Sequence, residues 1–306
     1  MGPSASKFSK TVVGNETHKS ARNVLEKIGL ETKGNINRNA NKYEDKLKGN
    51  LKEAKFYHPL FTHFDVKKDL SNNPCELDYV FNTNVQSDKS VDRNPCLFSP
   101  VERFSNEGEA ECNSSRITGN KGECGACAPY RKRNICDYNL HHINENNIKN
   151  THDLLGNVLV MAKSEGASIV EKHPNRGSSE VCTALVRSFA DIGDVIRGRD
   201  MFLGNNEKDM REKQKLQNNL KNIFGKIMES DTNLKELSLE QVREYWWALN
   251  RNDVWKALTC SADGSEDYFI QSEDGTKSFS DRKCGHDENN VITNLDYVPQ
   301  FLRWFT

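Results

Sequence analysis

The stretch ECGACAPYRKRNICDYN, Glu123 to Asn139, holds three cysteines, three consecutive basic residues and two tyrosines within seventeen positions. How its thiols are used decides the fold. Zinc would draw on Cys124, Cys127 and Cys136 with His141 or His142. Structural zinc sites, however, pair two short-spaced ligand sets, and this string carries one CxxC. A redox pair needs a low-pKa thiolate, commonly at a helix N-terminus after a strand, and no βαβ pattern surrounds Cys124 and Cys127. An intracellular zinc or redox helical protein is therefore the alternative reading, and a disulfide framework the leading one.

Nine cysteines in 306 residues argue for cross-links made in an oxidising compartment. The number is odd, so one is spare or has its partner elsewhere. Cys182 and Cys260 fall on separate helical stretches, where one bond would clamp helix to helix. Cys75 and Cys96, each in an NPC triplet, would bracket an acidic loop, and Cys112, Cys124, Cys127 and Cys136 suffice for two nested bonds. Cys284 is left over, its partner expected in a missing continuation of the chain.

The composition is polar for a folded protein, 35% hydrophobic and 28% charged, with a mean hydropathy of -0.79. Long hydrated helix faces and apolar-poor loops would read this way. The longest apolar run, LLGNVLVMA from Leu154 to Ala162, is too short to span a bilayer and contains Gly156 and Asn157. The start shows no pattern of a secretory leader. The net charge of -1 conceals an asymmetry: residues 1–70 hold 14 Lys and Arg against 8 Asp and Glu, while the remainder hold 29 against 36. A polyanion would be drawn to the N-terminal end.

Residues 1–60 read as a basic extension with two helices. SARNVLEKIGL starts at Ser20, places Val24, Leu25 and Ile28 on one face, and can end at Gly29. NKYEDKLKGNLKEAKFYHPL follows, with Tyr43, Leu47, Leu51 and Ala54 as its apolar stripe and Gly49 weakening its middle. Residues 61–145 form a loop-rich unit, and its Asn-, Ser-, Gly- and Pro-rich part, residues 71–135, holds five of the nine cysteines. A segment so poor in apolar residues cannot hold shape by burial alone. Residues 146–283 form a helix bundle. In SSEVCTALVRSFADIGDVIRGRDMF, Val181, Leu185, Phe189, Ile192 and Ile196 make a helical stripe. The charged helix EKDMREKQKLQNNLKNIFGKIMES has a narrower seam of Leu216, Leu220, Ile223, Phe224 and Ile227. SLEQVREYWWALNRNDVWKALTC opens with a capping box, Ser238 and Gln241, and carries three of the four tryptophans, which the helical spacing assigns to the core. Cys260 and Cys284 then lie in a loop, and 284–306 begins a further, truncated unit.

Several of these stretches in order, CGACAPYRKRNICDYNL, LLGNVLVMAKSEGASIV, VCTALVRSFADIGDVIRGRDMF, EYWWALNRNDVWKALTC and DYVPQFLRWF, resemble the Duffy-binding-like adhesion domain. More narrowly, they resemble the alpha class that opens erythrocyte membrane protein 1 of the malaria parasite, with residues 1–60 similar to that family's basic N-terminal segment. The resemblance implies a mainly α, disulfide-stapled fold with a loop-rich first and a helix-bundle second subdomain. It also implies the pairs Cys112–Cys136, Cys124–Cys127 and Cys182–Cys260. The function implied is adhesion, from the surface of the infected host erythrocyte, to red-cell receptors in rosetting: heparan-sulfate-type glycosaminoglycans, blood-group sugars or complement receptor. No cofactor, metal or nucleic acid is implied, and membrane attachment would come from parts of the full-length protein outside this chain.

A sulfated polysaccharide needs several cations on one surface. The candidates are Lys19, Arg22 and Lys27 on the first helix, Lys42, Lys46, Lys48, Lys52 and Lys55 on the second, and Arg131, Lys132 and Arg133 in the stapled loop. Arg211 to Lys215, REKQK, reads instead as alternating-sign surface. A Gly-rich phosphate loop, HExxH and a G-x-S-x-G elbow are all missing from the sequence, so it points to a binding module and not an enzyme.

Overall fold

The computed structural model describes residues 21–57, 71–87, 89–98, 103–104, 109–122, 125–271, 277–285 and 291–304. Five long helices carry the described fold: α1 Ala21–Ala40, α2 Thr151–Lys172, α3 Ser179–Arg197, α4 Glu207–Glu229 and α5 Leu239–Leu258. Two antiparallel strands follow, β1 Asp263–Gln271 and β2 Lys277–Gly285. Each of α2 to α5 starts where the sequence supplies a cap. The side chains of Asn150, Ser178 and Asn206 accept from backbone N–H groups of the first turn, and Ser238 and Gln241 close a capping box.

The helices meet through their apolar faces. The stripe of α3 and the seam of α4 are buried as their spacing requires. α2 is buried on nearly every side from Thr151 to Ile169, which makes it the central helix. Trp246, Trp247 and Trp255 of α5 are fully buried, with Phe189 edge-on to Trp255 at 5.3 Å and Phe224 edge-on to Trp246 at 5.9 Å. One connected cluster of buried side chains runs from Leu25 to Val298.

The loop-rich part of the chain holds short helical turns at Pro74–Glu76, Ser90–Arg93, Tyr130–Arg133 and Tyr138–His142. Disulfides hold it in place, but not with the expected partners. The bonds are Cys75–Cys260, Cys96–Cys136, Cys112–Cys127 and Cys182–Cys284, with sequence separations of 185, 40, 15 and 102. The expectations Cys75–Cys96, Cys112–Cys136, Cys124–Cys127 and Cys182–Cys260, and an unpaired Cys284, are therefore corrected. The reason is the β1–β2 hairpin, which stands where the sequence predicts a loop. It carries the chain from the end of α5 out and back, returning Cys284 to the first turn of α3 and freeing Cys260 for the turn at Cys75. Cys124 lies outside the described residues. With Cys127 and Cys136 each committed to a disulfide, two of the three thiolates needed by the zinc or redox alternative are gone.

The N-terminal helices also differ from expectation. α1 passes straight through Gly29, and the second helix breaks into turns at Asn41–Tyr43, Glu44–Leu47 and Leu51–Glu53. Both glycines are points of contact. A Cβ on Gly29 would fall on the carbonyl oxygen of Asn294, and one on Gly49 would lie 2.5 Å from Leu155 Cδ2. Val24 and Ile28 are exposed, while Leu25, Leu47, Leu51 and Ala54 are buried.

Candidate adhesion surface

The N-terminal segment is built into the fold. Glu26 of α1 accepts from Tyr268 Oη at 2.5 Å, Thr293 Oγ1 at 2.5 Å and the Asn294 backbone N–H at 2.7 Å, joining the helix to the hairpin and to the chain beyond it. Tyr268 is buried, and burial together with the Glu26 carboxylate pushes its hydroxyl well above the usual phenol range. Further along, Tyr43 stacks on Tyr245 with ring centroids 5.7 Å apart. The carbonyl of Leu47 accepts from Thr151 Oγ1 and Asn250 Nδ2, and the Gly49 N–H donates to Asn250 Oδ1. The Asn50 N–H donates to His152 Nδ1. Every one of these partners lies on α2, α5, the hairpin or residues 293–294, so the segment forms a fixed edge of the domain.

The candidate cations on this edge separate into two groups. Lys27, Lys42, Lys52 and Lys55 are exposed, and their ammonium groups make no ion pair within the described structure. The others are engaged. Lys46 lies 3.3 Å from both Asp45 and Asp231. Lys48 donates to Asp253 at 2.7 Å and to the Leu249 carbonyl at 2.8 Å. Arg22 sits over the ring of Tyr268 at 5.1 Å. Lys19 lies outside the described residues.

The basic triplet does not join this surface, which corrects the sequence expectation. Arg131 and Lys132 are buried, Arg131 paired with Asp191 at 2.6 Å and Lys132 with Asp200 at 2.7 Å. Arg133 donates to Asn205 Oδ1 and to the Glu109 carbonyl, both at 2.8 Å. These three side chains tie the stapled loop to α3 and to the residues after it.

They belong to a wider set of interior ion pairs that the sequence reading missed: Arg103 with Glu165, Arg197 with Asp194 and Glu244, Arg251 with Asp296, and Arg303 with Asp191 and Asp194. A buried carboxylate without a cation would be costly, so each acid is matched. Burial alone would raise Asp191, but Arg131, Arg303 and Lys132 together hold it at about 2. Helical spacing gave no signal for them: Asp191 falls on the flank of the α3 stripe and Asp194 on its opposite face, yet both are buried. Two further residues also turn inward. His141, considered above as a zinc ligand, is buried 3.4 Å from Asp137. Lys213, expected on an alternating-sign surface, is mostly buried with Nζ 2.9 Å from Asp137 Oδ2.

No helix among the described residues is long and apolar enough to cross a membrane. The helical bundle, its staples and its appended basic segment define a class of binding domain. The chain belongs to the Duffy binding domain family, whose model matches residues 125–303. Within that family, the pairing of a basic segment with an alpha-class domain is that of erythrocyte membrane protein 1: the model of the N-terminal segments of PfEMP1 matches residues 20–55.

The fold is similar to the NTS-DBL1-alpha and CIDR-gamma double domain of PfEMP1 from the Plasmodium falciparum varO strain, with a TM-score of 0.81 and 44% identity over 94% of this chain and 43% of that one. It is also similar to a DBLβ domain of PfEMP1 bound to human ICAM-1, with a TM-score of 0.72 and 25% identity over 97% of this chain and 63% of that one. Among curated proteins, the Duffy receptor of Plasmodium vivax (strain Salvador I) is 23% identical over 78% of this chain and 19% of its own length. The gamma form of the Plasmodium knowlesi Duffy receptor is 23% identical over 63% of this chain and 16% of its own length. The chain thus spans less than a fifth of these receptors.

Proposed function

We propose that this chain is an extracellular adhesion module of a variant parasite surface antigen, displayed on the infected host erythrocyte, and that its N-terminal edge engages sulfated glycans of the host red-cell surface. The observation carrying this reading is the group Lys27, Lys42, Lys52 and Lys55: four exposed ammonium groups on one docked segment, without ion-pair partners among the described residues. Attraction of a polyanion to such a group is long-ranged and released by salt, because bound counterions are displaced. In this reading residues 1–60 are the binding segment, 61–145 and 146–283 the first two subdomains, and 284–306 the start of a third. Blood-group sugars and complement receptor remain candidate ligands of the same module. A protein receptor is the second reading, favoured by the similarity to a domain bound to human ICAM-1.

The test is a quadruple charge reversal, Lys27→Glu, Lys42→Glu, Lys52→Glu and Lys55→Glu, run on a heparin column with a salt gradient and in a red-cell binding assay. Elution at clearly lower salt and loss of binding to red cells are expected. Unchanged elution together with unchanged red-cell binding would overturn the assignment of this edge.

A further inference from the structure

Arg187 stands on α3, the helix against which β1 packs. It is half-buried, and among the described residues it makes neither an ion pair nor a hydrogen bond. Its Nε is fully enclosed with no acceptor, while the two Nη groups open outward. Other interior guanidiniums are met differently: Arg103 by Glu165, Arg131 by Asp191 and Arg251 by Asp296.

The surroundings sharpen the contrast. Burial, then the like charges of Arg131 and Arg22, hold the Arg187 guanidinium down to about 10. Arg22 comes from the first turn of α1 and lies over the Tyr268 ring. The nearby acids are taken. Asp191, one turn further along α3, accepts from Arg131 at 2.6 Å and from Arg303 at 3.1 Å. Glu26 is held by Tyr268, Thr293 and the Asn294 N–H. An arginine that serves the fold has its acid within the fold, and one that is merely solvated keeps clear of other cations. Arg187 does neither, so in the free domain it costs stability.

The missing acceptor must therefore come from outside and carry negative charge. A planar carboxylate matches the guanidinium fork with two parallel bonds. A doubly charged phosphate would bring more charge than one guanidinium needs, with Asp191 close behind. A sulfated polysaccharide spreads its charge along an extended track, whereas this notch offers one reachable guanidinium. The Cys182–Cys284 bond fixes the hairpin to the same helix five residues earlier, so the notch is formed before a ligand arrives. We infer that the Arg187 notch receives one aspartate or glutamate side chain of a host protein receptor, at a site separate from the four exposed lysines. The inference rests on the adhesion reading, in its protein-receptor form, for the source of that side chain.

The test is fluorescence anisotropy with a labelled, capped hexaglutamate peptide, and hexaglutamine as the neutral control, on the quadruple lysine-to-glutamate variant described above. Saturable binding of hexaglutamate alone is expected. Arg187→Met should weaken it at least about tenfold while the melting temperature holds or rises. Thr183→Glu places a carboxylate four residues before Arg187, where it can pair along the helix; it should raise the melting temperature and likewise weaken the peptide. Absence of hexaglutamate binding, a lower melting temperature in Arg187→Met, or equal binding in both folded variants would each overturn the inference. So would a heparin fragment whose own binding depends on Arg187 to the same degree, since the notch would then belong to sulfated glycans. Red-cell binding by the unaltered chain is measured alongside. Its absence would overturn the adhesion reading and the receptor with it, whereas red-cell binding with no peptide signal would overturn the notch alone.

Discussion

Arg103 and Glu165 face one another in the interior, Nη1 2.8 Å from Oε2 and Nη2 2.8 Å from Oε1, with both side chains fully buried. The pair fastens the stapled loop to α2. Glu165 also accepts from the Cys136 N–H at 3.0 Å and from Ser188 Oγ of α3. Removing one member strands a buried charge and several donors. Glu165→Ala is expected to destabilise the domain by about 3–5 kcal/mol, measured by urea unfolding. Replacing Arg103 and Glu165 together by methionine should cost less than either single truncation, and a double-mutant cycle would show it.

The same logic sets a pH dependence. Asp191 is held at about 2, against an ordinary 3.8 when unfolded. A depressed carboxylate stabilises the native state above its unfolded pKa, and that contribution drains away as protons bind on the way down to the folded value. It is worth about 2 kcal/mol. Stability should therefore fall between roughly pH 4 and pH 2. In Asp191→Asn, urea midpoints should show a shallower decline across that window, from a lower starting stability.

Glycine 29 makes an unusual prediction. Gly→Ala inside an exposed helix normally stabilises by about 1 kcal/mol. Here the added methyl meets the Asn294 carbonyl, so Gly29→Ala should instead destabilise, by about 1–3 kcal/mol. Hydrogen exchange should accelerate in α1 and at residues 293–297 while α2 stays protected. Glu26→Gln should show the same pattern, because an amide presents a donor to the cluster of donors at Tyr268, Thr293 and Asn294.

The disulfide pairing can be read directly. Peptide mapping without reductant should recover Cys75 with Cys260, Cys96 with Cys136, Cys112 with Cys127 and Cys182 with Cys284. Replacing Cys182 and Cys284 by alanine opens a separation of 102 residues. The expected loss is about 4 kcal/mol by chemical denaturation.

The helices from α2 to α5 were legible because burial imposes a period. The stripe from Val181 to Ile196 and the seam from Leu216 to Ile227 allow few other arrangements. Gly29 and Gly49 misled because a sequence displays a glycine's freedom and conceals the neighbour pressed against it. The strands DGSEDYFIQ and KSFSDRKCG carry too little alternation to announce themselves, and without the hairpin the path of Cys284 was invisible. Arg131 and Lys132 likewise advertised charge but not the acids waiting across the fold. Of the candidate surface, Lys27, Lys42, Lys52 and Lys55 were found in the open, where charge alone is a fair guide. Lys213 was not, because its partner Asp137 lies 76 residues upstream.

The seat of α1 has a consequence for how the molecule comes into being. Glu26 waits for Tyr268, 242 residues later, and for Thr293, 267 residues later. At ribosomal speeds that delay is on the order of tens of seconds. α1 leaves the ribosome long before these partners and is thus among the last of the described helices to find its place, and its lysine-bearing segment must be kept from straying meanwhile. A nascent chain halted before Thr293 should hold its central bundle yet present a loose, protease-sensitive leading end.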